Sequence, residues 1–471
     1  MKGTNLVKTF IGFAVGPLGA AIINFLTIPI ITWLISPEEF GKTSLFLIMQ
    51  ALATAFIFLG MDHAYVREYN NQLNKKELLF NCAIFPLIFS VLICVCLIMF
   101  SELFTSLIFT GQSESIIVLF AIWLPFITIE RFLLLSIRME EKGFLYSLFN
   151  ILIKFMIMLF TLFFLLFWDR NYLVVITANV LGQIISDIVL MVYCRNKLEL
   201  KFQYLEKKLL KKMIKFGLPF IPTAVIMWLL NSTDRMVLEK FSSYDELGVY
   251  FAALKVIGVL TIFQSIFSTF WLPIAYKWKK EKVDNREFDK ISHYIGFIMS
   301  FVFIAILLLK QVFVIILSDK YSEVLYIIPF LLFYPIMYTL GETTGLGISF
   351  ARKTYYNIWI SIVLALLNLV LNLLLVPHFA AIGASIALGI TYISYFWFRT
   401  LISRKLWYKF DLRYYFTLTS ILIVVAVGNV TIKNYIFLFN SMALILLFIF
   451  NRKIVANIYM EVKMSILKKG I

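Results

Sequence analysis

Five charged residues stand where so apolar a chain should not tolerate them: Glu130, Arg131, Lys154, Asp187 and Glu342 all lie inside long hydrophobic stretches. A charge at the centre of a membrane helix costs about 2.5–3.5 kcal/mol on insertion scales, so each needs a partner or a wet cavity. Two chemistries suit these types. Arg131 and Lys154 would attract an anionic group, while Glu130, Asp187 or Glu342 would hold a coupling proton or cation. Simple neutralisation fits equally well, with Lys154 paired to Asp187 and tying two helices together. Counted at about 1.5 Å per residue from the nearest basic helix ends, all five lie about 10–15 Å deep, as one polar layer.

Other candidates lie nearer the helix ends. Asp62 and Arg67 close the second hydrophobic stretch, where snorkelling to head groups competes with a binding role. Asp234, Arg235 and Lys255 sit towards the opposite side, as an interface anchor, an ion pair or a gate. Lys310 is expected to snorkel outward. Asn24 and Asn231 could hydrogen-bond across a cleft. No catalytic constellation accompanies them. The three histidines, His63, His293 and His378, are far apart in sequence, and no phosphate-binding Gly-Lys loop is present. Cys82, Cys94, Cys96 and Cys194 fall in or at the end of apolar segments and read as structural thiols. No metal and no cofactor is expected.

The elements that must position these residues are membrane helices. The 471 residues are 61% hydrophobic and 15% charged, with a mean hydropathy of +0.90, outside the range of soluble domains. Crossing the hydrocarbon core takes about 20 apolar residues, and unpaired backbone groups exclude open strands there. The chain reads as an all-α polytopic protein of about 14 spans. Their limits are 10–35, 42–62, 79–100, 115–137, 144–167, 171–194, 214–238, 248–275, 292–318, 322–350, 355–376, 381–400, 414–431 and 434–450. Most of the 43 Lys and Arg fall in the two tails and in the gaps after even-numbered spans. Basic loops stay cytoplasmic, so both termini are expected there. The +16 charge is then an orientation signal, densest in 195–215 and 276–290. Those loops should lie against anionic head groups, and nothing in them calls for nucleic acid. The first span is long, carries Pro17 and Pro29, and reads as retained rather than cleaved.

An offset of 207 positions brings Asn24 onto Asn231, Ser36 onto Ser243, Glu39 onto Glu246 and Gly41 onto Gly248. This pairs span 1 with span 7, which run the same way, and implies two pseudo-symmetric six-helix lobes about an axis along the membrane normal. The expected division is 1–200 for the N-terminal lobe, 201–405 for the C-terminal lobe, and 406–471 for two extra helices and a tail. Two lobes around a cleft suit alternating access. A mere scaffold is the plainer reading, though so many spans with so little mass outside the membrane speak against it. Gly12, Gly16 and Gly19 in span 1, and Gly341 with Gly345 in span 10, offer small faces for close helix packing. Pro17, Pro29, Pro219 and Pro222 could bend spans 1 and 7.

Several ordered motifs then resemble a known family. They run Phe216-Gly217-Leu218-Pro219-Phe220-Ile221-Pro222, Trp228, Asn231, Asp234-Arg235, Gly248, Tyr250 and Lys255. Earlier come Leu34-Ile35-Ser36-Pro37-Glu38-Glu39-Phe40-Gly41 and Gly60-Met61-Asp62-His63-Ala64-Tyr65-Val66-Arg67. Later come Trp271 with Pro273, Arg352-Lys353-Thr354, Asn368, Asn372, Pro377 and Gly383-Ala384-Ser385. Over roughly residues 10–400 the chain resembles the Wzx-type O-antigen flippases, in the polysaccharide branch of the MATE-like multidrug/oligosaccharidyl-lipid/polysaccharide superfamily. Ala380 departs from it, at a place where the family often has glycine.

The resemblance implies a MATE-like fold in a bacterial inner membrane. It implies export of an undecaprenyl-pyrophosphate-linked oligosaccharide to the periplasmic leaflet, with membrane lipids, a polysaccharide polymerase and a chain-length regulator as partners. On that reading Arg67, Arg131, Lys154, Lys255, Asn24 and Asn231 are candidates for pyrophosphate or sugar contact. Asp62, Glu130, Asp187, Asp234, Arg235 and Glu342 are candidates for ion coupling or ion pairing. Trp228 and Trp271 could stack on sugars, against a default of lipid or core contact. Two alternatives stand: a multidrug or cation antiporter of the same superfamily, and a membrane polysaccharide polymerase. The antiporter should favour an acidic cleft, and the polymerase a sizeable outer loop that the short odd-numbered gaps leave little room for.

Overall fold

The computed structural model describes residues 3–108, 113–197, 202–353, 355–432, 434–457 and 459–460, with side chains from Val15 onward except at 107, 108, 202, 227 and 230. Every regular element among them is helical. The first helices are α1 (Gly3–Leu34), α2 (Pro37–Ile57), α3 (Met61–Glu68), α4 (Lys75–Met99), α5 (Ser101–Ile108), α6 (Ser115–Met139), α7 (Gly143–Phe167) and α8 (Tyr172–Tyr193). There follow α9 (Lys207–Gly217), α10 (Phe220–Phe241), α11 (Tyr244–Lys280), α12 (Asn285–Leu308) and α13 (Gln311–Leu317). The last are α14 (Val324–Leu331), α15 (Phe333–Thr344), α16 (Leu346–Phe350), α17 (Tyr355–Leu406), α18 (Leu412–Thr431) and α19 (Ile436–Phe450). Among the described residues, eleven helices are long and apolar enough to cross a bilayer, or twelve if Lys207–Ile226 and Asn231–Phe241 form one broken span. By length and composition that falls short of about 14. The 52-residue α17 covers the stretch read as two spans, and α19, at 15 residues, is a shorter apolar helix. Span 10 is interrupted, as α14, α15 and α16.

The chain divides into two compact units, Met1–Ser232 and Thr233–Ile471. In the first, α1 lies along α7, α7 along α8, and α6 between α4 and α8. Glycines set these approaches. The Gly16 N–H donates to Ser147 Oγ at 2.9 Å, and a Cβ on Gly16 would meet Ser147 Cα at 2.6 Å. Gly182 bears in the same way on the backbone of Ile157. The small face expected on span 1 is thus used at Gly16 and Gly19, while the surroundings of Gly12 lie outside the described side chains. Pro17 and Pro29 lie within one continuous helix. Pro222 sits in the first turn of α10, where a missing N–H costs nothing. The amphipathic α9 buries Leu209 and Met213 against Tyr65, Leu78 and Phe132. Gly60 and Gly217, drawn from two separate motifs, touch here. Gly60 has φ +66°, and a Cβ on it would lie 2.2 Å from the Gly217 carbonyl, so only glycine fits.

In the second unit α15 packs on α17 and α12, and α14 on α11, α17 and α18. The final pair, α18 and α19, covers α12. Lys310 departs from its expected outward course. It is 5% exposed and donates to the Asn429 carbonyl at 3.3 Å. Asn429 and Asn440 bond each other, and Asn440 reaches the Leu307 carbonyl. These amides draw the ends of α12, α18 and α19 together and give the ammonium an acceptor, which removes the need to reach water.

The internal repeat has a structural counterpart. Ser36 caps α2 by accepting from the Glu39 N–H, and Ser243 caps α11 by accepting from the Glu246 N–H. The two glutamates then do the same job. Glu39 Oε2 accepts the Tyr172 N–H at the start of α8, at 2.6 Å. Glu246 Oε2 accepts the Ala381 N–H, where the second half of α17 begins, at 3.1 Å. A carboxylate suits the first turn of a helix, where N–H groups lack partners and the dipole is positive.

Ala380 marks the break in α17, with φ 45° and ψ −129°. A side chain there strains the backbone by about 1–3 kcal/mol. Glycine adopts such angles freely, which accounts for the glycine that the motif pattern often has at this place. Ala380→Gly is expected to stabilise the protein by up to about 2.5 kcal/mol, after about 0.5–1 kcal/mol is returned as glycine's extra chain entropy. A higher melting temperature of the detergent-purified protein would show it; a lower one would mean that the break is not strained.

Candidate functional site

Each unit holds its own buried polar cluster. In the first unit the cluster joins α6, α7 and α8. The Gln183 side-chain amide donates to the carboxylates of both Glu130 and Asp187, the latter at 3.2 Å. Glu130 is 9% exposed and Asp187 is fully buried, and Asp187 Oδ2 has no hydrogen-bond partner among the described residues. The positive charge of Lys154 acts on both carboxylates, yet no ion pair within 4.0 Å joins it to either among the described residues. The pairing of Lys154 with Asp187 as a direct bridge is therefore not what is formed. Instead one neutral amide bridges two acids, and one lysine supplies their countercharge. Gln183 and Asp187 are four residues apart and share a helix face. A carboxylate pair of this kind repels unless a proton or cation enters.

Arg131, next to Glu130 in sequence, is engaged elsewhere. Its Nη2 and Nε donate to Asp62 Oδ2 at 2.6 and 3.1 Å, which ties α6 to α3. The Asp62 side chain is buried, and the guanidinium is 43% exposed. Arg67 is exposed, 3.8 Å from Glu68, and lies over the Phe216 ring. Glu68 is buried and takes a 2.6 Å bond from Lys212 of α9. That bond, with help from Asn71 and Arg67, holds the Glu68 carboxyl below its ordinary range despite burial. Asn24 and Asn231 are exposed on α1 and α10. Trp228 donates to the Ile48 carbonyl at 3.1 Å.

In the second unit Asp234 is buried and well supplied with donors. Tyr250 Oη gives to Oδ2 at 2.7 Å, and Asn372 Nδ2 gives to Oδ1 at 2.9 Å. Asn368 lies beside Asn372 and donates weakly to Thr391. Arg235 and Lys255 both lie over the Phe251 ring. Glu342 has a strong partner of its own: Arg399 Nη1 donates to its Oε1 at 2.7 Å and also to Tyr395 Oη. Both charged side chains are nearly buried, at 12% for Arg399 and 9% for Glu342. Trp271 is buried among Phe267, Trp278 and Phe288.

Five contributors carried no role in the sequence reading. Gln183 is neutral and drops out of a charge census. Arg399 stands at the end of a span and reads as its basic flank. Tyr250, Asn368 and Asn372 belong to the motifs quoted above, and the four-residue spacing of the two asparagines inside an apolar helix was the available signal. No group of three metal-ligating side chains forms among the described residues.

Helices throughout, eleven or twelve of them long enough to span a bilayer, with charges buried in paired clusters, define a polytopic membrane protein. Residues 6–279 match the family model described as "Polysaccharide biosynthesis protein", and the chain belongs to that family. No curated protein matches it. Among solved structures it is similar to the lipid II flippase MurJ in an inward closed conformation, with a TM-score of 0.72 and 15% identity over 94% of this chain and 100% of that one. It is also similar to multidrug resistance MATE family transporters of the MOP superfamily. The inward-facing one gives a TM-score of 0.53 at 16% identity, over 82% of this chain and 94% of that one. The outward-facing one gives 0.51 at 14%, over 85% and 94%. At such identities the likeness is one of fold.

Proposed function

We propose that the protein is a flippase for an undecaprenyl-pyrophosphate-linked oligosaccharide, an O-antigen repeat unit, moving it from the cytoplasmic to the periplasmic leaflet of a bacterial inner membrane. The observation that carries this reading is membership of a polysaccharide biosynthesis family in a chain whose fold matches a lipid II flippase along nearly its whole length. The termini face the cytoplasm, as the basic gaps require. Arg67, exposed over Phe216, and Arg131, half open beside Asp62, are the cations best placed to meet a pyrophosphate. The Glu130–Gln183–Asp187 bridge, balanced by Lys154, is the coupling site, where a proton or cation relieves the repulsion of two carboxylates. Asn24, Asn231 and Lys255 are exposed and open to sugar or phosphate contact. Asp234 with Arg235, and Glu342 with Arg399, hold the second unit's helices. A polymerase and a chain-length regulator are the partners that would use the product.

The antiporter reading draws on the lower-scoring likeness to multidrug transporters. A deletion strain separates the two. Accumulation of lipid-linked repeat units in the inner leaflet, with loss of surface polymer, is the expected result. Normal polymer with lost drug resistance would move the assignment to the antiporter.

A further inference from the structure

An open pocket of about 460 Å³ lies in the second unit, and none of its lining residues belongs to that unit's polar cluster. It sits where α18 begins and α19 ends, against α12. Its cations come from two segments: Arg413 in the first turn of α18, and Arg452 with Lys453 just beyond α19. None of the three forms an ion pair with a described residue. Asp411 also lines the pocket. Its carboxylate is committed to capping α18, accepting the Arg413 N–H at 3.0 Å. The aromatic wall is ordered: the His293 ring packs on Tyr414 at 4.1 Å between centroids, and the Tyr414 hydroxyl donates to Asn451 Oδ1 at 3.0 Å. His293 Nε2 is buried with no described hydrogen-bond partner. Asp289, 3.9 Å from the other ring nitrogen, is the one further acid beside this histidine.

The surroundings point to the source of the anion. Within two turns of the pocket, α18 and α19 turn Phe416, Leu446 and Ile449 outward, each more than half exposed. A ligand seated here has a cationic seat at the helix ends and exposed apolar side chains of the same two helices nearby. That pairing fits a lipid better than a soluble anion, because apolar surface beside a membrane-spanning helix is covered by acyl chains. We infer that this pocket binds the phosphate head group of an anionic phospholipid and that its acyl chains lie along α18 and α19. The proposal stands whether or not the flippase reading does.

Native mass spectrometry of the full-length protein in neutral detergent, titrated with phosphatidylglycerol and with phosphatidylcholine, reads the site directly. Each cation near a lipid surface contributes about 1 kcal/mol, so Arg452→Gln/Lys453→Gln should weaken binding of one phosphatidylglycerol roughly 25-fold and leave phosphatidylcholine unaffected. Lys279→Gln/Lys280→Gln at the end of α11 removes the same charge elsewhere in the unit and should leave that binding intact. Asp411→Asn keeps the cap, since asparagine serves there as well, and removes the opposing charge, so it should tighten binding. It also decides the matter should the double variant melt early. Unchanged binding in the pocket variant, or an equal loss in the α11 control, would overturn the site. Displacement of the lipid by inorganic phosphate beyond the effect of chloride at equal ionic strength would overturn the lipid as its ligand.

Discussion

Glu342→Ala is expected to destabilise the second unit by about 3–5 kcal/mol, the usual penalty for leaving one buried charge without its partner. The charge left behind is Arg399, which can neither lose its proton nor reach water easily from between α15 and α17. Its site is built around it. A Cβ on Gly345 would stand 2.8 Å from Arg399 Nε, and one on Gly341 would meet Tyr395 and then the Arg399 stem. The glycines read as a small packing face therefore make room for a guanidinium. Replacing both partners by methionine should return most of the lost stability, because well-packed apolar side chains avoid the desolvation cost altogether. Unfolding of the detergent-purified protein gives the stability readout, and surface polymer gives the functional one. Should Glu342→Ala melt like the wild type, the pair does not hold these helices. Should the double variant regain stability without regaining export, Glu342 has a role in transport beyond the ion pair.

Much of this architecture was legible from spacing alone. Charge asymmetry and hydrophobic length gave most of the membrane helices, and the 207-residue offset named the serines and glutamates that cap corresponding helices in each unit. What spacing leaves out are partners brought together by folding. Asp62 and Arg131 are 69 positions apart and meet only because α3 folds back on α6. Arg399 and Lys310 both stand near span ends, where a cation normally reaches water. They are held inside instead by Glu342 and by the Asn429 carbonyl, acceptors supplied from other helices. Gln183 was invisible for a different reason. A search for charges passes over a neutral amide, although it is the group that holds the two acids in register. The stretches read as spans 355–376 and 381–400 are the two halves of α17 on either side of the break at Ala380, and α19 is a short apolar helix of 15 residues.

Lys154→Met is expected to have an effect as large as the loss of Glu342. Lys154 is the cation whose charge acts on both Glu130 and Asp187, and without it two carboxylates share one amide among apolar helices. Removing the countercharge should cost about 3–5 kcal/mol, read as a lower melting temperature and a smaller yield of folded protein. Asp187→Asn in the same chain leaves a single acid, and its new amide can still bond within the bridge. That double variant should recover most of the lost stability. The two readouts then part company. A cluster that only neutralises itself predicts that polymer export returns together with stability. A cluster that takes up and releases the coupling ion predicts a stable double variant that exports little, because the second carboxylate is the group the ion must meet. Full export by Lys154→Met alone, at normal stability, would remove the lysine from both roles and leave the carboxylate pair without the electrostatic logic assigned to it.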